Sequence, residues 1–287
     1  MKFAVVGFTC IDVYKNLGIQ YPTGNGIDLL FNLMEQVEEI EPSVVTAVGD
    51  DKNGKQLLEE CRIRQVDTSH VQVVPGGKTA VIEMLLNGKD RVHHSVDRGV
   101  MPDYRPTKED MDFICSQDYI HTDLSWNVVD LLPEIKKSGT KIYFDFSKRY
   151  QHPDVPKILS SIHYGIFSFE EETEEVRELL KMGCERGAEV LLATFGEKGS
   201  LAYDGRNFYR QKCLASENLV NTVGAGDSYG SGFMAGIIRG EDIQACMERG
   251  AGKRLRLSAF LSHIIGKEDN NYGYRYACSP GPVRADL

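Results

Sequence analysis

Short apolar runs rich in β-branched and aromatic residues recur along this chain, with stretches of helical character between them. The runs are Phe3–Val6, Val44–Val48, Tyr119–His121, Ile142–Phe146, Gly165–Phe167 and Val190–Thr194. The helix-like stretches are Asp28–Glu39, Asn53–Gln65, Lys108–Ser116, Val128–Lys137, Glu172–Arg186 and Ser228–Arg239. Strands that alternate with helices predict an α/β chain whose mostly parallel central sheet is covered on both faces, in three layers. Ligands bind beyond the carboxyl ends of the strands in such sheets. That rule nominates Gly7, Gly49, Asp50, Asp51, Asp145, Ser168 and Thr194 to Gly196. Two stretches break the alternation. Thr79–Gly99 reads as a hairpin around the turn dipeptide Asn87-Gly88, and Thr9–Tyr21 is also strand-like. Together they predict a small antiparallel sheet, with segments near 9–22 and 79–99, attached to one main domain.

The string Asn221-Thr222-Val223-Gly224-Ala225-Gly226-Asp227-Ser228 joins a glycine-rich turn to a helix start. Backbone N–H groups at a helix N-terminus lack intrahelical acceptors and face an anion with the peptide dipoles behind them. Glycines at 224 and 226 let that backbone approach a phosphate without a Cβ in the way. Asp227 sits at the joint, ionised at neutral pH like any ordinary aspartate. Anion donors next to a proton acceptor are what phosphoryl transfer to a hydroxyl requires. A tight turn with an N-cap has the same short pattern. Three further glycines, Gly230, Gly232 and Gly236, follow in the helix, each at a cost of roughly 0.5–1 kcal/mol relative to alanine. They imply that something packs closely against it.

The chain has 287 residues, enough for one large domain with a substantial core. A formal net charge of -9 argues against nucleic acid or an anionic membrane as the main partner. Its seven cysteines are scattered without a C-x-x-C pair, as expected of reduced thiols in a cytoplasmic protein. No stretch approaches the roughly 18 apolar residues that span a bilayer.

The string at 221–228 resembles the "DTxGAGDxF" motif of the ribokinase-like (PfkB) carbohydrate kinases, and other segments carry the same resemblance. It implies a ribokinase-like fold with a small β lid over a sugar site, ATP as phosphate donor, and magnesium. Asp227 then takes the proton from the acceptor hydroxyl, while the amides of Gly224, Ala225 and Gly226 form the anion hole. Thr194, Gly196 and Gly199 in "TFGEKGS", with Thr222, match positions along the nucleotide phosphates. Glu171 in "SFEE" matches the glutamate that holds hydrated magnesium, although Ser168 replaces that motif's asparagine. Asp12 follows the first strand, where the family has a sugar-binding aspartate. Gly24 and Asn25 match its "GGNxxN" segment, with Asp28 in place of the final asparagine; Asp28 also reads as an N-cap for the next helix. Gly49 and Asp51 in "VGDDKNG" match residues that shape the sugar pocket. "VDTSHV", "KDRV", "DRGV" and "YFDFS" resemble the fructoselysine-kinase branch, which phosphorylates an Amadori-type fructosamine. An acidic pocket of Asp28 with Asp12 or Asp97 suits such an amine. Arg91 and Arg98 on the lid are placed to meet a carboxylate or phosphates. The family often dimerises through the lid, which makes a homodimer one of the arrangements left open.

Two departures qualify the resemblance. Asn221 replaces the motif's first aspartate, which borders a monovalent-cation site in relatives, so potassium activation is in doubt. Residues 253–287 are basic, irregular and unlike the family's adenine-covering helix. Two alternatives therefore stay open: a kinase for another small sugar or nucleoside, and a catalytically impaired sugar- or nucleotide-binding protein.

Overall fold

The computed structural model describes residues 1–87, 90–214 and 225–252. Its strands are β1 (Lys2–Val6), β2 (Cys10–Tyr14), β3 (Ile19–Thr23), β4 (Glu41–Gly49), β5 (Val71–Val74), β6 (Val81–Asn87), β7 (Asp90–Asp97), β8 (Tyr119–Asp123), β9 (Lys141–Ser147), β10 (Tyr164–Ser168), β11 (Val190–Thr194), β12 (Ser200–Tyr203) and β13 (Phe208–Gln211). Its helices are α1 (Asn25–Met34), α2 (Lys52–Ile63), α3 (Lys108–Ile114), α4 (Leu132–Ser138), α5 (Val155–Leu159), α6 (Glu174–Glu185) and α7 (Ala225–Ile238). Residues 243–252 are also helical.

The main sheet runs β13-β12-β11-β10-β9-β8-β1-β4-β5. All its pairings from β5 to β11 are parallel, and β12 and β13 add an antiparallel edge. Successive strand residues point to opposite faces, and the core divides accordingly. Ala4, Val6, Ile142, Phe144 and Phe146 pack with Leu132 and Ile135 of α4, Ile158 of α5 and Leu180 of α6. Phe3, Val5, Val44, Tyr143 and Ile166 pack with Leu30 and Leu33 of α1, Leu57 of α2 and Phe233 of α7. The three-layer α/β expectation is met, and every apolar run named above lies in a parallel strand.

Four strands form the second, smaller sheet in the order β3-β2-β6-β7. It was expected to be antiparallel, but β2 runs parallel to β6. A hairpin forces antiparallel pairing; β2 and β6 are instead separated by a long excursion through the main sheet, so no turn dictates their direction. Asp51 fastens that excursion. Its carboxylate caps α2 by accepting from Gly54 N at 2.8 Å and also accepts from Thr79 N at 2.9 Å and Thr79 Oγ1 at 2.7 Å. The Thr79 hydroxyl accepts in turn from Gly49 N at 3.0 Å. The end of β4 is thus tied to the entrance of β6.

Helix boundaries moved where local geometry outweighed pattern. α1 starts at Asn25 because Gly24, at φ 125°, is its N-cap and turns the chain directly out of β3. Asp28 is therefore in the first turn and is no N-cap. α4 starts at Leu132 with proline beside it, the position that proline's fixed φ favours. β8 extends two residues past His121, to Asp123.

Close packing accounts for the glycines of α7. A Cβ on Gly230 would lie 2.4 Å from the Tyr143 hydroxyl, one on Gly232 2.7 Å from Gly250 Cα, and one on Gly236 2.7 Å from Cys246 Sγ. No helix among the described residues is long and apolar enough to cross a membrane. Residues 253–287 lie outside the described residues.

Candidate active site

α1 and α7 cover the sheet face that carries Tyr143: a Cβ on Gly26 of α1 would lie 2.1 Å from Val5 Cγ1, and one on Gly230 of α7 2.4 Å from the Tyr143 hydroxyl. Asp227 occupies the first turn of α7, half-buried, after an exposed Gly226. Nothing among the described residues lies within 4 Å of where a Cβ on Gly226 would stand. Tyr143, two residues before Asp145 on β9, lies beneath Gly230. Burial first, then the charges of Asp145 and Asp227, hold its phenol well above the usual range. Both carboxylates therefore lie within electrostatic reach of one buried hydroxyl. Gly224 and Thr222 lie outside the described residues, as does the Ala225 side chain.

On the substrate side, Asp12 is buried on β2, and the Cys10 thiol donates to its Oδ1 at 3.6 Å. Asp28 accepts from the Thr23 hydroxyl. Gly24 is required sterically, since a Cβ there would meet Phe8 O at 2.7 Å. The side chains of Asn25 and Arg91 lie outside what the structure describes. Arg98 is exposed and donates to Ser125 O at 3.4 Å. Asp97 is exposed and accepts from Gly99 N, closing a turn.

On the other side, Thr194 ends β11, and its hydroxyl donates to Phe167 O and Ser168 Oγ. Gly196, at φ 59°, opens a single 3₁₀ turn, and among the described residues no heavy atom lies within 4 Å of where its Cβ would stand. Gly199 differs: its φ is 98°, and a Cβ would lie 2.3 Å from Gln211 O, so close strand packing alone demands glycine. Glu171 is exposed and pairs with Lys198 of that turn at 3.5 Å. Ser200 and Tyr229 bond through their hydroxyls at 2.8 Å, in the core. That bond ties α7 to the strand that leaves the 194–199 loop, a link with no motif to reveal it in sequence.

Sequence reasoning left unassigned a group at the ends of β8 and β9. Asp123 and Asp145 are register neighbours on these parallel strands. Asp123 Oδ1 accepts from Ser125 N at 2.5 Å, and Asp145 Oδ1 accepts from Ser147 N at 2.6 Å and Ser147 Oγ at 3.2 Å. Ser147 takes a left-handed φ of 51°, which costs an L-residue roughly 1–2 kcal/mol. Burial and the Asp123 charge push the Asp145 carboxyl up to about 6, against the Ser147 hydrogen bonds and Arg149. Burial also raises Asp123, against its bonds to Ser125 and the cations Arg149 and Arg98. Both arginines bond Ser125, Arg149 through its side-chain oxygen at 3.4 Å. The available signal was the strand-end rule, which nominated Asp145 but missed Asp123 because the β8 run was read two residues short.

The chain matches the model of the pfkB family carbohydrate kinases over residues 20–252. It is 31% identical over 247 residues to the fructoselysine 6-kinases of Shigella flexneri and Escherichia coli, covering 86% of this chain and 93% of each relative. A fructosamine kinase of Bacillus subtilis is 26% identical over 285 residues, covering 98% of this chain and 97% of that one. Among solved structures, Arabidopsis thaliana ribokinase complexed with ribose and ATP superposes with a TM-score of 0.74 at 17% identity, covering 90% of this chain and 92% of that one. Thermotoga maritima ribokinase gives 0.74 at 17% identity, covering 91% and 95%. The structural likeness fixes the fold as ribokinase-like, and the matched family model makes the chain a phosphotransferase: it belongs to the pfkB family of carbohydrate kinases.

Proposed function

We propose that the chain transfers the γ-phosphate of ATP to a primary hydroxyl of a fructosamine, with Asp227 as general base. The carrying observation is the placement of Asp227 in the first turn of α7, directly after the exposed Gly226. Asp227 accepts the acceptor's proton as its oxygen attacks, and the negative charge moving onto the leaving diphosphate lies at the helix N-terminus, where amide dipoles favour it. The transfer is in-line and needs no covalent enzyme intermediate. Amides of Gly224, Ala225 and Gly226 supply the anion hole. Thr194, Gly196, Gly199 and Thr222 line the nucleotide phosphates, with Gly199 contributing through loop shape.

Asp12 and Asp28 accept hydrogen bonds from the sugar, Gly24 and Asn25 form its wall, and Gly49 and Asp51 shape the pocket. Arg91 and Arg98 meet a carboxylate or the phosphates of the ligands, and the small sheet serves as the lid. Magnesium ions keep several waters and bind through one or two carboxylates plus phosphate oxygens. Glu171, exposed beside the 194–199 loop and paired with a lysine that phosphates would attract, suits that role. When bound, the ion neutralises phosphate charge. A monovalent cation is not part of this reading.

The two fructoselysine 6-kinases and the fructosamine kinase among the relatives support this substrate class. A cytidine kinase from Thermococcus kodakarensis, 27% identical over 229 residues, sustains a nucleoside as the second reading. The impaired-protein alternative is separated by activity itself. Loss of a general base costs about 10²- to 10⁴-fold in rate. Asp227→Asn is expected to lower turnover by that factor in an ADP-release assay with fructoselysine, fructose, ribose and cytidine, while ATP binding by calorimetry persists. Turnover equal to the wild type overturns the base assignment, and turnover of cytidine alone overturns the acceptor class.

A further inference from the structure

Asp123 and Asp145 stand side by side on the sheet face that α1 and α7 cover; Asp145 belongs to the "YFDFS" segment, whereas Asp123 belongs to none of the segments quoted above. Adjacent strands lie only about 4.8 Å apart, so two carboxylates in register repel. Each is held in place by its own loop: Asp123 by Ser125 N, Asp145 by the backbone and hydroxyl of Ser147. Ser147 accepts a left-handed backbone there, and strain of that kind concentrates at functional sites. Arg149 and Arg98 approach this pair from the Ser125 side, while Tyr143 and, beyond it, Asp227 lie towards α7. A second observation points to a ligand or ordered water at the same floor. His121, two residues before Asp123 on β8 and so on the same face, is 1% exposed, and neither ring nitrogen meets a hydrogen-bond partner among the described residues.

Of the acidic residues expected to meet an amine, Asp28 accepts from the Thr23 hydroxyl, Asp12 from the Cys10 thiol, and Asp97 closes an exposed turn. We infer that Asp145, with Asp123 beside it, receives the protonated amine of the acceptor and selects a cationic ketose derivative over the neutral sugar. This deepens the fructosamine reading and rests on it. A cation placed against both carboxylates relieves their repulsion, whereas a neutral hydroxyl is served equally by one carboxylate or by an amide. The upward shift of Asp145 towards neutrality has the same origin, burial beside a like charge.

The test compares kcat/KM for fructoselysine and fructose in the wild type, Asp145→Asn and Asp145→Glu. Losing a charge-assisted hydrogen bond corresponds to about 10- to 100-fold. Asp145→Asn is expected to lower kcat/KM for fructoselysine by that factor, mainly through KM, and to leave fructose within about threefold. Asp145→Glu keeps the charge and is expected to keep most of the preference, which holds the test open should the amide variant fold poorly. An equal loss with both acceptors makes Asp145 an ordinary sugar ligand and overturns the inference. An unchanged preference in Asp145→Asn, when the wild type prefers fructoselysine, overturns the amine role alone. A wild type without that preference overturns the fructosamine reading and this inference together.

Discussion

Asp145 has a consequence for stability that is separate from its part in selectivity. Its folded-state pKa is raised from 3.8 to about 6 by burial and by Asp123. A carboxyl whose folded pKa is raised contributes stability that is present below its unfolded pKa and lost as pH rises through the folded value. The ionised carboxylate therefore destabilises the chain above about pH 6. Asp145→Asn is expected to melt a few degrees higher than the wild type at pH 7.5, with the gap closing near pH 4. A gap that is constant across this range would show that Asp145 is not the titrating group. Functional sites commonly hold such unfavourable charges at the expense of stability. Of these residues, Asp227 was legible in the sequence as part of a helix start, because that start is signalled by a contiguous string. The pairing of Asp123 with Asp145 was not, because the two are brought into register by hydrogen bonds between strands separated by a helix.

At the scale of elements, α7 divides its glycines between close packing and open space. Gly232 is pressed against Gly250, backbone to backbone, which cannot yield as a flexible side chain would. Gly232→Ala is expected to destabilise the fold by about 1–3 kcal/mol, the range for overpacking, visible as a lower urea midpoint at unchanged slope. Gly226 faces open space among the described residues. Gly226→Ala is expected to keep the wild-type urea midpoint but to lose turnover, because the added methyl stands where the phosphate approaches. A normal midpoint and normal turnover together would remove Gly226 from the anion hole. The crowding of this helix was readable from composition alone. Which neighbour crowds each glycine was not, since Tyr143, Cys246 and Gly250 come from other segments.

At the scale of the molecule, the small sheet stands apart from the main one and leaves apolar side chains exposed. Leu85 and Val92 face each other across β6 and β7, 36% and 49% exposed, and Val96 is 53% exposed. Exposed apolar groups on an edge strand invite pairing with another chain. We expect the protein to sediment as a dimer through this sheet and Val92→Lys to shift it towards monomer without changing its melting curve by more than a degree or two. A wild-type monomer at micromolar concentration, or a Val92→Lys variant as dimeric as the wild type, rejects that interface. The β6–β7 hairpin was legible because Asn87-Gly88 is a strong turn signal. The parallel β2–β6 pairing was not, because it is decided by the path of the chain between them.

Local chemistry was enough for the parallel α/β layering and the hairpin, since each rests on periodicity or turn residues within a single segment. The folded chain alone decided that Asp28 lies inside a helix, that Gly199 is a packing residue, that Tyr229 anchors α7 to β12, and that Asp123 meets Asp145. Those facts depend on contacts between residues far apart along the chain, and such contacts exist only once the sheet has set its register.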